Sequence, residues 1–421
     1  MKLVPQDSSY LTSQLQGDLI EMMMSKNDYK SALKYALKYA KQTYEKYPDV
    51  YIMVLHVKCL YAIRDFKGIV NIIKDFQNSE YATNPGAFFS LRHASFEISG
   101  ALSYDNSIAI IQPTVSKALE FCESNDDIIV MPWLAAHVAE FMYYGYDDTT
   151  ASMELFERIA SPKFKSGLSP ELQWAYNYLS LTSTKHLALI YYDKAVTAHN
   201  CGQDTSAWVG KLRKLATSED KQRGSVVYQM NDSAYILGIY LRKYAKVNET
   251  DWKACFRNPI VEALDMLSDE DPLNDIDAYM RLTKLLMAAG DVQNASAVSA
   301  VILTEYSNGE DTEFRKALKA INFRGNFLKC DGLCSNGINT YGTDYEELHT
   351  CTECLSTRFC QDCFPLLKRG KMPKRICNPK HEFIQMLPVP EEMKGIAARF
   401  DGETMQVQKE WLDTLRKKWS Q

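Results

Sequence analysis

DYKSALKYALKYAKQTYEKYPDVYIMVLHVKCLYAIRDFKGI, residues 28–69, holds one pattern twice: Asp28-Tyr29-Lys30-Ser31-Ala32 and Asp65-Phe66-Lys67-Gly68-Ile69. Apolar side chains around it recur at three- and four-residue spacing without sustained alternation, which reads as helix after helix. Each copy then reads as the turn between two helices. The aromatic plugs the gap between them, and a small residue just after it, Ala32 or Gly68, lets them approach. Tyr104 extends the aromatic series, with Tyr29, Phe66 and Tyr104 spaced 37 and 38 residues apart. A period of this size marks stacked helical hairpins, because one hairpin cannot cover its own apolar faces and neighbours must bury a continuous seam.

Gly290-Asp291-Val292-Gln293-Asn294-Ala295 repeats the turn near the far end, with Val in place of the aromatic. These residues resemble the tetratricopeptide turn, in which a Gly or Asp, an aromatic and an Ala join two helices. The resemblance spans roughly residues 10–310 and implies a mainly α fold, an α-solenoid of stacked helical hairpins. Breaks fall at Tyr47-Pro48-Asp49, Asn84-Pro85-Gly86, Ser161-Pro162, Ser169-Pro170, Asp271-Pro272 and Ser307-Asn308-Gly309. The expected organisation is a helical-repeat solenoid over 1–310, a linker helix over 311–329, a cysteine-rich module over 330–388, and a hairpin with a closing helix over 389–421.

Composition narrows the function classes. The 421 residues are 46% hydrophobic and 11% aromatic, enough for a sizeable core in two or three units. A net charge of -5 gives the whole chain no bias toward nucleic acid or an anionic membrane surface. The stretch MKLVPQDSSY has no basic-then-apolar leader pattern, and no apolar run approaches the ~20 residues that span a bilayer. The expectation is an intracellular chain, cytoplasmic or nuclear, without a membrane partner.

Seven of the 11 cysteines fall between Cys330 and Cys377. They pair as Cys330-x3-Cys334, Cys351-x2-Cys354 and Cys360-x2-Cys363, with Cys377-x3-His381 last. Short spacing lets both side chains of a tight knuckle face one metal, so four pairs predict two tetrahedral Zn2+ ions with structural roles. The scattered Cys59, Cys122, Cys201 and Cys255 read as buried small hydrophobes. His56, His93, His137, His186 and His199 read as core or surface residues.

The stretch from His349 through Cys351-Thr352-Glu353-Cys354 to Phe359-Cys360-Gln361-Asp362-Cys363-Phe364, with His381-Glu382-Phe383 beyond it, resembles a ZZ-type zinc finger. That resemblance implies a cross-brace in which Cys330, Cys334, Cys360 and Cys363 share one ion, while Cys351, Cys354, Cys377 and His381 share the other. The first knuckle is longer than in ZZ fingers, and the last pair is Cys and His rather than two His. Some ZZ fingers capture a cationic N-terminus through an Asp matched here by Asp331; their other acidic positions are Leu355, Ser356, Thr357 and Arg358 in this chain. His349 is expected to pack or to support a ligand. Lys368, Arg369, Lys371, Lys374, Arg375 and Lys380 form a basic stretch without an acidic residue, which reads as a solvated loop or, as an alternative, a surface for an acidic partner or phosphate backbone.

Beyond the cysteines, Ile396–Met405 reads as a hairpin turning at Asp401-Gly402, and Val407, Trp411, Leu415 and Trp419 line one face of a final helix. That face is expected to dock on the cysteine-rich module or the last solenoid helix. The order of parts resembles the C-terminal region of fungal tetratricopeptide-type proteins carrying a ZZ-like finger, which implies an interaction role. No phosphate loop, nucleophile elbow, zinc-protease motif or fixed acid–base pair occurs, so no catalytic residue is assigned. The expected function is a non-enzymatic scaffold whose groove binds a peptide or protein, not nucleic acid. The alternative is a ubiquitin-ligase-type enzyme docking a conjugating enzyme on the cross-brace, although the RING ligand order fits only if Cys360 is discarded.

Overall fold

The structure, a computed structural model, describes residues 8–26, 28–43, 50–78, 94–124, 132–143, 149–160, 170–222, 232–245, 247–268, 272–307, 330–332, 348–354, 357–372, 377–385 and 408–420. The fold is mainly helical. In chain order come α1 (Ser8–Ser25), α2 (Tyr29–Thr43), α3 (Val50–Ala62), α4 (Phe66–Gln77), α5 (Ser95–Tyr104), α6 (Gln112–Ser124), α7 (Pro132–Phe141), α8 (Thr149–Ile159), α9 (Pro170–Asn200), α10 (Ser206–Gln222), α11 (Asp232–Lys243), α12 (Glu249–Met266), α13 (Pro272–Ala288) and α14 (Val292–Ser307). The cysteine-rich part adds β1 (His349–Cys351), β2 (Arg358–Phe359), α15 (Cys363–Lys368) and β3 (Phe383–Gln385), and α16 (Gln408–Ser420) follows. Contacts divide the chain into two compact units: Met1–Ser183 with Asp331–Asn339 and Pro365–Pro379, and Thr184–Cys330 with Thr340–Phe364 and Lys380–Gln421.

In the first unit each helix packs on its sequence neighbour, α1 on α2, α2 on α3 and α4 on α5, and α1 also reaches α3. Ile20 and Met24 of α1, Tyr29, Ala32 and Ala36 of α2, and Ile52, Leu55 and Cys59 of α3 make one core cluster. The turn pattern of the sequence is visible as helix starts. Asp28 accepts from Ser31 N–H at 3.1 Å, and Asp65 accepts from Gly68 N–H at 2.9 Å, each satisfying an orphan donor of the first turn. Tyr29 and Phe66 directly follow these caps and are buried. In α4, Phe66, Ile69, Val70, Ile73 and Phe76 are buried at the three- and four-residue spacing that puts them on one face.

One expectation fails here. Tyr104 ends α5 instead of following a turn and is 57% exposed, so the third member of the aromatic series holds a different place. It leans on Phe66, the ring centroids 4.8 Å apart. At Gly68 the nearest neighbour is the cap: a Cβ there would lie 2.7 Å from Oδ2 of Asp65, so the missing side chain leaves room for the capping carboxylate.

In the second unit α10 packs on α11, α11 on α12, α12 on α13 and α13 on α14. Gly238 of α11 brings α12 close, since a Cβ there would meet the Phe256 ring at 2.5 Å. The three strands form one antiparallel sheet in the order β2-β1-β3, with His349 opposite Phe359 and Gln385, and Cys351 opposite Phe383.

Helix α16 docks on α12 and on the start of α14, as its apolar stripe requires. Trp411, Leu415 and Trp419 are buried, and Trp411 Nε1 donates to Asn294 Oδ1 at 3.0 Å. Asn294 in turn donates to both oxygens of Asp291, which also takes Lys418 Nζ at 2.8 Å. Arg416 Nη2 donates to Leu264 O, Asp265 Oδ1 and Ser268 Oγ at 3.0, 2.8 and 2.9 Å, satisfying carbonyl and polar groups at the C-terminal end of α12. Gly290 makes the turn between α13 and α14 with φ +78°, a left-handed conformation that glycine adopts without strain. The linker helix over 311–329 and the hairpin over 396–405 lie outside the described residues.

Burying a tryptophan with its N–H paired makes α16 part of the core, so Trp411→Ala should destabilise the fold by about 3–5 kcal/mol in chemical denaturation. His56 generates a second prediction. Its ring is buried, Nδ1 has no hydrogen-bond partner, and burial lowers its pKa to about 4, Asp65 acting weakly the other way. The unfolded chain therefore binds a proton near pH 6.5 that the folded chain refuses. This contribution is present above the unfolded value and lost as pH falls toward 4, by roughly 3 kcal/mol. Denaturation curves for His56→Leu should lose less stability than wild type between pH 7 and pH 4.

Candidate metal centre

Seven of the eight residues with metal-ligand spacing fall among the described residues, and they converge into two groups. Cys330, Cys360 and Cys363 form one, and Cys351, Cys354, Cys377 and His381 form the other; within each group the ligand atoms all lie within 4.8 Å of one another. Cys334 lies outside the described residues. Cys330 of the first pair thus groups with the third pair, and the second pair groups with the fourth.

Local backbone geometry explains the convergence. Cys351 ends β1, and the chain turns so that the N–H groups of Glu353 and Cys354 donate to Cys351 Sγ at 3.3 and 3.2 Å. Cys351 N–H donates to Thr357 O at 2.9 Å, closing the knuckle before β2. Cys360 N–H donates to Cys330 Sγ at 3.2 Å, while Cys363 N–H and Phe364 N–H both reach Cys360 O as α15 begins. N–H donors aimed at sulfur favour the thiolate, the form that ligates metal.

The donor set fits zinc. His381 Nδ1 lies 3.5 Å from Cys351 Sγ and 3.2 Å from Cys354 Sγ. Ordinary Zn–S and Zn–N bonds at tetrahedral angles place a sulfur and a nitrogen about 3.6 Å apart. No disulfide joins the described cysteines. Burial disfavours charge on the His381 ring, but Cys351, with Glu353 and Asp193 behind it, outweighs burial and raises its pKa. Cys330, Cys351, Cys363 and Cys377 are buried; Cys354, Cys360 and His381 are half-buried.

Other residues singled out in the sequence take plainer roles. His349 is in neither ligand group and stacks on Phe364, the centroids 3.9 Å apart and the planes 10° apart. Phe383 meets Phe364 edge-on at 5.0 Å and Phe359 at 6.0 Å, so these rings form the module's small apolar centre. Lys368 Nζ donates to Pro379 O at 2.7 Å and Arg369 Nε to Pro365 O at 3.2 Å, so two cations of the basic stretch are engaged with nearby carbonyls. Lys371 and Lys380 are exposed, Asp331 is half-buried, and Lys374 and Arg375 lie outside the described residues. Of the scattered cysteines, Cys59 is buried and its thiol pushed up to about 12; burial raises Cys255 to about 11. Cys201 is exposed, against expectation, because it sits in the turn that follows α9.

Glu353 is not among the ligands that the sequence singles out. Its side chain is 4% exposed and sits between two ligands of one knuckle. Oε1 accepts from Lys243 Nζ at 2.9 Å and from Glu382 N–H at 3.1 Å, and Oε2 accepts from Tyr192 OH at 2.8 Å. Burial pushes the Glu353 carboxyl up, but His381, Lys243, Tyr192 and the Glu382 amide together outweigh burial and hold it below its ordinary value. Its place inside a Cys-x2-Cys knuckle was the available signal. Its partners on α9 and α11 had none.

No protein-family model, curated protein or solved structure matches this chain. Among the described residues no helix is long and apolar enough to cross a membrane.

If both groups bind metal, cobalt titration should give thiolate-to-cobalt absorption that saturates at two ions per chain. Cys351→Ala and Cys363→Ala should each lower the saturating stoichiometry to one tight ion, read from the same absorption.

Proposed function

We propose that this chain is a non-catalytic interaction scaffold: tetratricopeptide-like helical hairpins offer a groove to a peptide or protein segment, and a ZZ-like module with two structural zinc ions follows them. The observation that carries the reading is the donor set of Cys351, Cys354, Cys377 and His381. Four protein ligands complete a tetrahedral ion and leave no position for an activated water, so the metal serves to fold the module.

Support for the helical part comes from the turns. Asp28, Asp65 and Asp291 each directly precede a helix that packs on the helix before it, and Ala32 and Ala295 are buried four residues after Asp28 and Asp291. Stacked hairpins of this kind create extended binding surfaces. Kinship with fungal tetratricopeptide-type proteins bearing a ZZ-like finger belongs to the same proposal, supported by the order of helices, cysteine knuckles and a docked tryptophan-bearing helix. So does a cytoplasmic or nuclear location, where thiols stay reduced and available to zinc.

The zinc-loaded full chain, used to select from a random-peptide display library, should enrich one convergent motif whose synthetic peptide binds saturably. Failure of any motif to converge would contradict the scaffold reading, as would assembly of ubiquitin chains when the protein is mixed with conjugating enzymes.

A further inference from the structure

Three residues far apart in sequence meet behind the second ligand group. Tyr192 comes from α9, Lys243 from the end of α11, and Glu353 from the knuckle between β1 and β2. All three belong to the second compact unit. Around them Tyr240 and Tyr244 surround Tyr192, with ring centroids 6.4 and 6.2 Å away, so the hydroxyl of Tyr192 and the Glu353 carboxylate meet in a desolvated place.

Glu353 acts on His381 in two ways. Its Oε1 holds the N–H of Glu382, the peptide that directly follows His381, and Thr352 N–H donates to Glu382 O at 3.0 Å alongside. Its Oε2 faces His381 Nε2 at 3.9 Å, on the side of the ring opposite Nδ1, which points at the sulfurs. At that distance the carboxylate acts on the ring through its charge rather than through a hydrogen bond. Lys243 also reaches Glu382 Oε2 at 3.4 Å.

We infer that Tyr192, Lys243 and Glu353 form a latch through which the helices set the metal affinity of the Cys351, Cys354, Cys377 and His381 group, and through which loss of that metal loosens the module from α9 and α11. The two effects are one coupling free energy, so each implies the other. Glu353 is a positioning residue here, and Tyr192 and Lys243 act through it. The inference rests on the proposed reading of this group as a zinc site.

The test uses the zinc-loaded full chain and its Glu353→Gln, Lys243→Met and Tyr192→Phe variants. Zinc per chain is counted by native mass spectrometry, and release is followed with a chromogenic chelator. Glu353→Gln and Lys243→Met should release one ion about 10–100-fold faster than wild type while the other leaves at the wild-type rate. Tyr192→Phe, which lacks only a hydroxyl and keeps the ring packing, should shift the same ion by a smaller factor and serves if the charge variants do not fold. Combining Lys243→Met with Glu353→Gln should add little to either change alone. Two bound ions with wild-type release in all variants would overturn the latch and leave the zinc reading standing. Parallel acceleration of both ions would reduce the three residues to general stability and overturn it too. A wild-type chain without zinc would overturn the latch together with the reading beneath it.

Discussion

Convergence of cysteine and histidine side chains is the feature around which the described cysteine-rich residues are arranged. The sheet there has strands of three, two and three residues, and its apolar centre is a few rings, Phe359, Phe364 and Phe383 with His349 stacked on them. Even with Leu348, Leu367 and Met372 buried beside them, the described residues there offer little apolar surface for holding a fold by burial alone. A metal that binds only the folded arrangement contributes its binding free energy to folding, of order 10 kcal/mol for a small structural zinc site. The N–H groups aimed at Cys351 and Cys330 suit the same role, since a donor facing sulfur favours its charged form.

The module is also not left to itself. Glu353 carries negative charge into a buried place, which is tolerable only because Lys243, Tyr192 and the Glu382 amide all meet it. In the same unit, α16 closes over the turn at Asp291 and Asn294 and over the end of α12. The pattern Gly290-Asp291-Val292-Gln293-Asn294-Ala295 thus serves twice: it starts α14, and it supplies the polar atoms that seat Trp411 and Lys418.

Much of this was legible in the sequence because the signals are local. The spacing of Phe66, Ile69, Val70, Ile73 and Phe76 announces a one-faced helix, Asp28 and Asp65 announce its beginning, and short Cys-x2-Cys spacing announces a knuckle. The stripe of Trp411, Leu415 and Trp419 announced a docked helix without naming its partner. Regularity misled where a residue type recurred without its context. Tyr104 keeps the spacing of Tyr29 and Phe66 but ends a helix. Cys201 was read as core although it lies in a turn. What stayed illegible is non-local: nothing near Tyr192 or Lys243 points to a carboxylate 161 or 110 residues further on.

The central claim is that two ions are held wholly by protein sulfur and nitrogen. X-ray absorption fine structure at the zinc edge of the purified chain tests it most directly. Seven cysteines and one histidine shared between two tetrahedral ions predict an average shell of four ligands dominated by sulfur at about 2.3 Å, with a minor imidazole contribution. A shell with substantial oxygen, or the absence of zinc, would contradict the account.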